Sequence, residues 1–202
     1  MNRKPDTLNI ILLGDPAAGK ATHGKFLAKK FRLYDLDMGK ELRSLEHNKA
    51  LRKKYNLGKT LDSGRLTPTA LVRNLLRDRI IATPKLQGIL FDGTPKMLGE
   101  AKLVAKWLKQ EKRGNVLFIY LSIPLKETMR RMTSRKTYFR GKFSKRPDDN
   151  NKALKNRIAY YKKNISEVVK YFKTKYPFVK ISTMGSVGQA RNRISKALNN
   201  VH

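Results

Sequence analysis

The chain has 202 residues with no cysteine, three histidines, and 46 lysines and arginines against 15 aspartates and glutamates, a formal charge of +31. Without cysteine there is neither a disulfide nor a thiolate metal site, and three scattered histidines argue against a zinc centre. No apolar run is long enough to cross a bilayer, so the expectation is a soluble, cytoplasmic α/β protein with one sizeable core, no secretory leader and no membrane anchor.

Five apolar runs read as strands, at Leu8–Leu13, Leu33–Leu36, Ile89–Phe91, Val116–Ser122 and Phe178–Ser182. They lack strict alternation, as strands buried on both faces do. Helical patterns separate them, notably Lys20–Phe31, Pro68–Ile81, Leu98–Gln110 and Ala153–Phe172. Thr67-Pro68 has the form of an N-cap followed by proline at the first helical position. Strand–helix alternation predicts a parallel sheet covered by helices on both faces, with ligands beyond the carboxyl ends of the strands. Two insertions break the alternation: a helical one at about 39–82, and Arg135–Arg146, which holds six basic residues and no acidic one.

The first strand runs into Gly14-Asp-Pro-Ala-Ala-Gly19-Lys20, where an amphipathic helix begins. Such a turn aims backbone N–H groups and a helix N-terminus at one point, which favours an anionic phosphate. Lys20 can reach the β- and γ-phosphates as a point charge. The residue after it is Ala21 instead of serine or threonine, and the first hydroxyl is Thr22. Further on, Gly88-Ile-Leu-Phe-Asp92-Gly93-Thr94-Pro95-Lys96 is an apolar strand that delivers an acid, a turn and a cation. Asp92 is placed to hold Mg²⁺ through water, or is simply a turn-forming Asp-Gly. Arg131 and Arg135 are four apart, on one helix face, and Arg146-Pro-Asp-Asp149 precedes a helix bearing Arg157. Four arginines and two acids around a short loop suggest a flap that clamps phosphates; the alternative is a basic loop capped by aspartate.

With these motifs in this order, nearly the whole chain resembles the adenylate kinase family of nucleoside monophosphate kinases. Gly14–Thr22 is similar to its P-loop, Asp37–Arg43 and Ser63–Thr67 to the two ends of its monophosphate-binding arm, and Gly88–Lys96 to its Asp-Gly-Phe-Pro-Arg segment. Arg131, Arg135, Arg146, Asp148, Asp149 and Arg157 match its lid, here short and without a cysteine quartet. The resemblance implies a P-loop NTPase-type, doubly wound, five-stranded parallel sheet forming one kinase domain, 1–202. Its core would be 1–38, 83–134 and 147–202, its acceptor arm 39–82 and its lid 135–146. It implies reversible transfer of the ATP γ-phosphoryl group to AMP or another nucleoside monophosphate, with Mg²⁺, by a monomer.

The residue roles it implies are as follows. Gly14, Pro16, Ala17, Ala18, Gly19, Lys20, Ala21 and Thr22 would bind ATP with Arg131 and Arg135. Lys20, Arg131, Arg135, Arg146 and Arg157 would surround the transferred group with positive charge, Asp92 would supply the metal environment, and lid closure would exclude water. Arg43 would hold the acceptor's phosphate, with Met38, Gly39, Thr67, Gly93, Lys96, Glu100, Arg146 and Arg157 around it.

The chain departs from the family pattern at several points. Ala17 and Ala21 stand where glycine is usual, Met38 for threonine or serine, Lys40 for an acid, Lys96 for arginine, and Glu100 for a base-reading glutamine. The donor side therefore matches better than the acceptor side. The charge of +31 leaves two readings open: a lysine-rich solvated surface with nonspecific nucleic-acid binding, or a kinase-derived, RNA- or ribosome-associated protein with little catalysis. Lysines spread through every helix favour the first.

Overall fold

The computed structural model describes residues 7–45, 50, 53, 69–134, 137–139, 142–144 and 151–199. The elements in chain order are β1 (Asn9–Gly14), α1 (Lys20–Phe31), β2 (Tyr34–Asp37), α2 (Met38–Ser44), α3 (Thr69–Ala82), β3 (Ile89–Asp92) and α4 (Leu98–Gln110). There follow β4 (Val116–Ser122), α5 (Leu125–Ser134), β5 (Thr137–Phe139), β6 (Lys142–Ser144), α6 (Asn151–Lys173), β7 (Phe178–Ser182) and α7 (Val187–Asn199). The five expected strands and the four helical patterns all form, each within two residues of its expected bounds.

The main sheet has the order β2-β3-β1-β4-β7 and every pair is parallel. Chain order reverses around β1, which places the loop after Gly14 in the crevice where α/β sheets take ligands. The pleat divides β1 between two cores. Ile11 and Leu13 join Phe91, Phe118, Val104, Leu108, Val168 and Phe172 on the face covered by α3, α4 and α6. Ile10 and Leu12 join Leu90, Leu117, Ile119, Leu27, Ile194 and Leu198 under α1 and α7. All four β1 side chains are fully buried. Truncating one to alanine would cost about 2–5 kcal/mol, through lost transfer energy and the cavity left behind.

Helices α2 and α3 are tied together beside β2. Glu41 of α2 receives Arg79 of α3 through Nε at 3.0 Å and Nη2 at 2.7 Å, and also accepts the Tyr34 hydroxyl at 2.9 Å. Within the basic insertion, β5 and β6 pair antiparallel with Tyr138 opposite Phe143. The sequence shows no strand pattern there, because three-residue strands are too short to show a period of two.

Candidate active site

The phosphate loop is built by backbone geometry that the sequence only partly announces. Gly19 caps α1 at φ 81°, in the left-handed region that glycine occupies without a steric penalty. Ala17 sits there too, at φ 60°, a conformation in which its Cβ is costly. The loop is pinned from below by Asp15. Its carboxylate accepts the Tyr120 hydroxyl at 2.8 Å and the Ile123 N–H at 2.9 Å, joining the loop to the end of β4. Tyr161 of α6 donates to the Gly14 carbonyl, and buried Thr183 donates to the Ala18 carbonyl at 2.9 Å.

Lys20 folds back over this turn. Its Nζ donates to the carbonyl oxygens of Gly14 at 2.8 Å and Asp15 at 2.9 Å, and lies 5.5 Å from the centre of the Tyr161 ring. The ammonium is thereby held at the N-terminal end of α1. His23, one turn into that helix, is buried. Desolvation, with Arg191 and Arg131 nearby, pushes its pKa down, so the imidazole adds no charge at neutral pH.

Arg131 closes the loop from α5. Its Nε meets Glu127 Oε1 at 2.6 Å, while its Nη atoms donate to the Ala17 carbonyl at 3.4 Å and the Thr183 carbonyl at 3.0 Å. Glu127 also receives Arg130 twice at 2.7 Å, and the two guanidiniums hold its pKa down at about 2. Arg131 is thus aimed across the mouth of the loop by a fully ionised carboxylate.

Asp92 ends β3, directly opposite Asp37 at the end of β2. Burial, then the charges of Asp37 and Asp35, raise the Asp92 pKa to about 6, against the opposing pull of Lys20 and Lys40. Lys40 answers the neighbouring acids, with Nζ 2.9 Å from Asp35 and 3.7 Å from Asp37. Helix α1 can pass close to Asp92 because residue 24 is glycine. A Cβ built there would stand 2.9 Å from the Asp92 carboxylate oxygen.

The expected acceptor residues divide. Gly93 follows Asp92 at φ 68°, and a Cβ there would lie 3.8 Å from Lys20 Cε, so it adjoins the phosphate loop. Met38 is 6% exposed and packs in the core with Leu42 and Leu71. Glu100 is buried, and its carboxylate accepts the N–H groups of Lys96 and Met97, capping α4. Gly39 is the second residue of α2, and Lys96 is exposed beside the cap. Thr67, Arg135 and Arg146 lie outside the described residues, as do the side chains of Arg43 and Arg157.

Asp15, Tyr120, Tyr161, Thr183 and Glu127 were not legible as site residues in the sequence. Their signals were an acid inside the phosphate loop and a glutamate four residues before an arginine. The tyrosines and Thr183, far away in sequence, gave none. Among the described residues no group of three or more His, Cys, Asp or Glu is placed to hold a metal ion, and no helix is long and apolar enough to cross a membrane.

A parallel sheet with a lysine-bearing phosphate loop at its switch point, and an acid on the neighbouring strand, defines a nucleotide-binding phosphotransferase of the P-loop class. A model of the adenylate kinase family matches residues 12–176, and the chain belongs to that family. It is 29% identical to an adenylate kinase of Azobacteroides pseudotrichonymphae over 96% of this chain and 98% of that protein. It is 29% identical to one of Flavobacterium psychrophilum over 96% and 100%, and 27% identical to one of Methanothrix thermoacetophila over 95% and 98%. The chain is therefore an adenylate kinase-like nucleoside monophosphate kinase. Nothing in these comparisons favours the kinase-derived RNA-associated alternative.

Proposed function

We propose that the chain transfers the γ-phosphoryl group of ATP reversibly to AMP, with a looser preference among nucleoside monophosphates than the family pattern implies. The observation that carries this reading is the convergence of Lys20 and Asp92 on the N-terminus of α1, with Arg131 held across the loop. Phosphoryl transfer needs alignment and neutralisation of charge on the moving group, and no covalent enzyme intermediate. Lys20, moving off the Gly14 and Asp15 carbonyls, would supply positive charge to the β- and γ-phosphates. Arg131 would supply a second cation, joined by Arg135, Arg146 and Arg157 from the lid and by Arg43 at the acceptor phosphate.

The residues present suit Mg²⁺, a hard cation that keeps several waters and takes few protein ligands. The Asp92 carboxylate offers hard oxygen beside the phosphate loop, with Asp35 and Asp37 next to it. Held there by Asp92 through water, Mg²⁺ would supply positive charge that offsets the negative charge of the phosphates. The relaxed acceptor preference is supported by Glu100, whose carboxylate is committed to the N-terminus of its own helix. It is supported also by Lys96, which keeps charge without a guanidinium fork.

The test is turnover with MgATP and AMP, CMP, UMP, GMP or dAMP, with Lys20→Ala as control. We expect AMP to be used best and at least one other monophosphate to be used appreciably, with Lys20→Ala slower by about a hundred- to a thousandfold. Sharp, exclusive use of AMP would reject the relaxed preference, and equal rates for the variant would reject the role of Lys20.

A further inference from the structure

A second cationic site lies at the opposite end of the strands. Between the C-terminal ends of α4 and α6 is a cavity of about 750 Å³, just ahead of the amino ends of β4 and β7. Lys102, Lys106 and Lys109 line it from one face of α4, at helical spacings of four and three residues. Lys112 adds a fourth cation from the turn that follows, and Lys175 faces them from beyond α6. All five lysines are exposed, and no carboxylate is among the lining residues. Glu100 caps α4 and Glu111 pairs with Lys85, while Glu167 stands on α6 one turn before Tyr171, outside the lining.

Uncompensated like charges on one helix face destabilise it, so a solvated helix would intersperse acids here. Lys112 adds a second cost. It adopts φ 53° just past the helix, where glycine is the relaxed choice. Arg113, in the cavity wall, is 5% exposed and donates to the carbonyls of Thr83, Pro84 and Gln87, yet its Nε is buried with no hydrogen-bond partner. Two aromatic rings, Tyr171 and Tyr176, complete the lining, and Lys175 Nζ stands 5.5 Å from the centre of the Tyr171 ring.

We infer that this cavity binds single-stranded nucleic acid, independently of the kinase site. A row of point charges follows a phosphodiester backbone, and a concave basic surface focuses the field toward it. Tyrosine faces beside such a row offer bases a stacking platform, which a small inorganic anion would not use.

The experiment measures binding of a labelled oligouridine of about 12 nucleotides, within the site size of such modules, by anisotropy across a range of salt. The full-length protein is compared with K102Q/K106Q/K109Q and with K29Q/K180Q/K196Q, which removes the same charge from other exposed positions. We expect the first triple to lose about tenfold or more in affinity, with a salt slope smaller by about 2, since each phosphate contact contributes about 0.7. We expect the second triple to change little, both to keep kinase activity, and the first triple to melt no lower than the parent, because it relieves repulsion along α4. Tyr171→Leu, which retains apolar bulk, should cost about fivefold or more through lost stacking. Equal losses in the two triples would overturn the site in favour of diffuse charge. Tripolyphosphate binding as tightly as the oligonucleotide, with no effect of Tyr171→Leu, would overturn the nucleic-acid assignment.

Discussion

The Tyr161 hydroxyl donates to the Gly14 carbonyl oxygen at 2.5 Å, joining α6 to the phosphate loop across 147 residues of chain. The same carbonyl accepts Lys20 Nζ at 2.8 Å, so one oxygen registers both helix α6 and the lysine that opens α1. Burial raises the Tyr161 pKa, which keeps the hydroxyl a donor throughout the working range. In the proposed reaction, where Lys20 would turn to a phosphate, the Tyr161 hydroxyl would still satisfy that carbonyl.

Tyr161→Phe isolates this bond. We expect stability to fall by about 1 kcal/mol, the net worth of an ordinary hydrogen bond. kcat/KM for ATP should fall by about fivefold, the kinetic equivalent of the same energy. Thermal melts and steady-state kinetics read the two effects, and an unchanged kcat/KM would remove Tyr161 from loop positioning.

Ala17 holds a left-handed conformation at φ 60°. That conformation costs a non-glycine residue about 1–2 kcal/mol, whereas glycine adds about 0.5–1 kcal/mol of lost chain entropy. Ala17→Gly should therefore leave stability unchanged or raise it by up to about 1.5 kcal/mol. A clear loss in a denaturant titration would show that the alanine methyl makes a compensating contact.

Asp92, with a pKa of about 6, makes both stability and activity depend on pH. Its folded-state pKa lies above the ordinary 3.8, so its stabilising contribution is complete below about pH 4 and is lost as pH rises through about 6. A shift of about two units corresponds to about 3 kcal/mol as an upper limit. Asp92→Asn should be more stable than the parent at neutral pH, with the difference vanishing in acid. Activity should run the other way. In the parent, kcat/KM should rise with an apparent pKa of about 6 as the carboxylate forms. The variant should lose that limb and most of its activity.

Gly24→Ala tests the close approach of α1 to Asp92. Alanine gains about 1 kcal/mol of helix propensity over glycine, so helix formation itself does not suffer. The added Cβ would stand 2.9 Å from Asp92 Oδ2, and the carboxylate must move. We expect kcat/KM to fall by about ten- to a hundredfold with little change in melting temperature, as a small misplacement of a reacting group does. Wild-type kinetics would show that the Asp92 carboxylate yields without cost.

The sequence by itself determined the sheet and the phosphate loop, because both are written locally. Apolar runs such as Ile10–Leu13 are buried on both faces, and Gly19-Lys20 follows directly at a helix start. The strand order, by contrast, came only from tertiary pairing, since nothing in β1 says that β3 and β4 will flank it. The same holds for Asp92. In sequence it reads either as an acid holding Mg²⁺ through water or as a turn-forming Asp-Gly, and opposite Asp37 and under Gly24 it is a buried carboxyl with a raised pKa. Glu100 illustrates the reverse case: its position suggested base reading, and the fold turned its carboxylate onto two backbone N–H groups. Tyr120, Tyr161 and Thr183 were silent in the sequence because a long-range hydrogen bond leaves no periodicity or spacing behind. Folding decided them by bringing the ends of β4 and β7 and the middle of α6 to one loop, where buried backbone groups require partners.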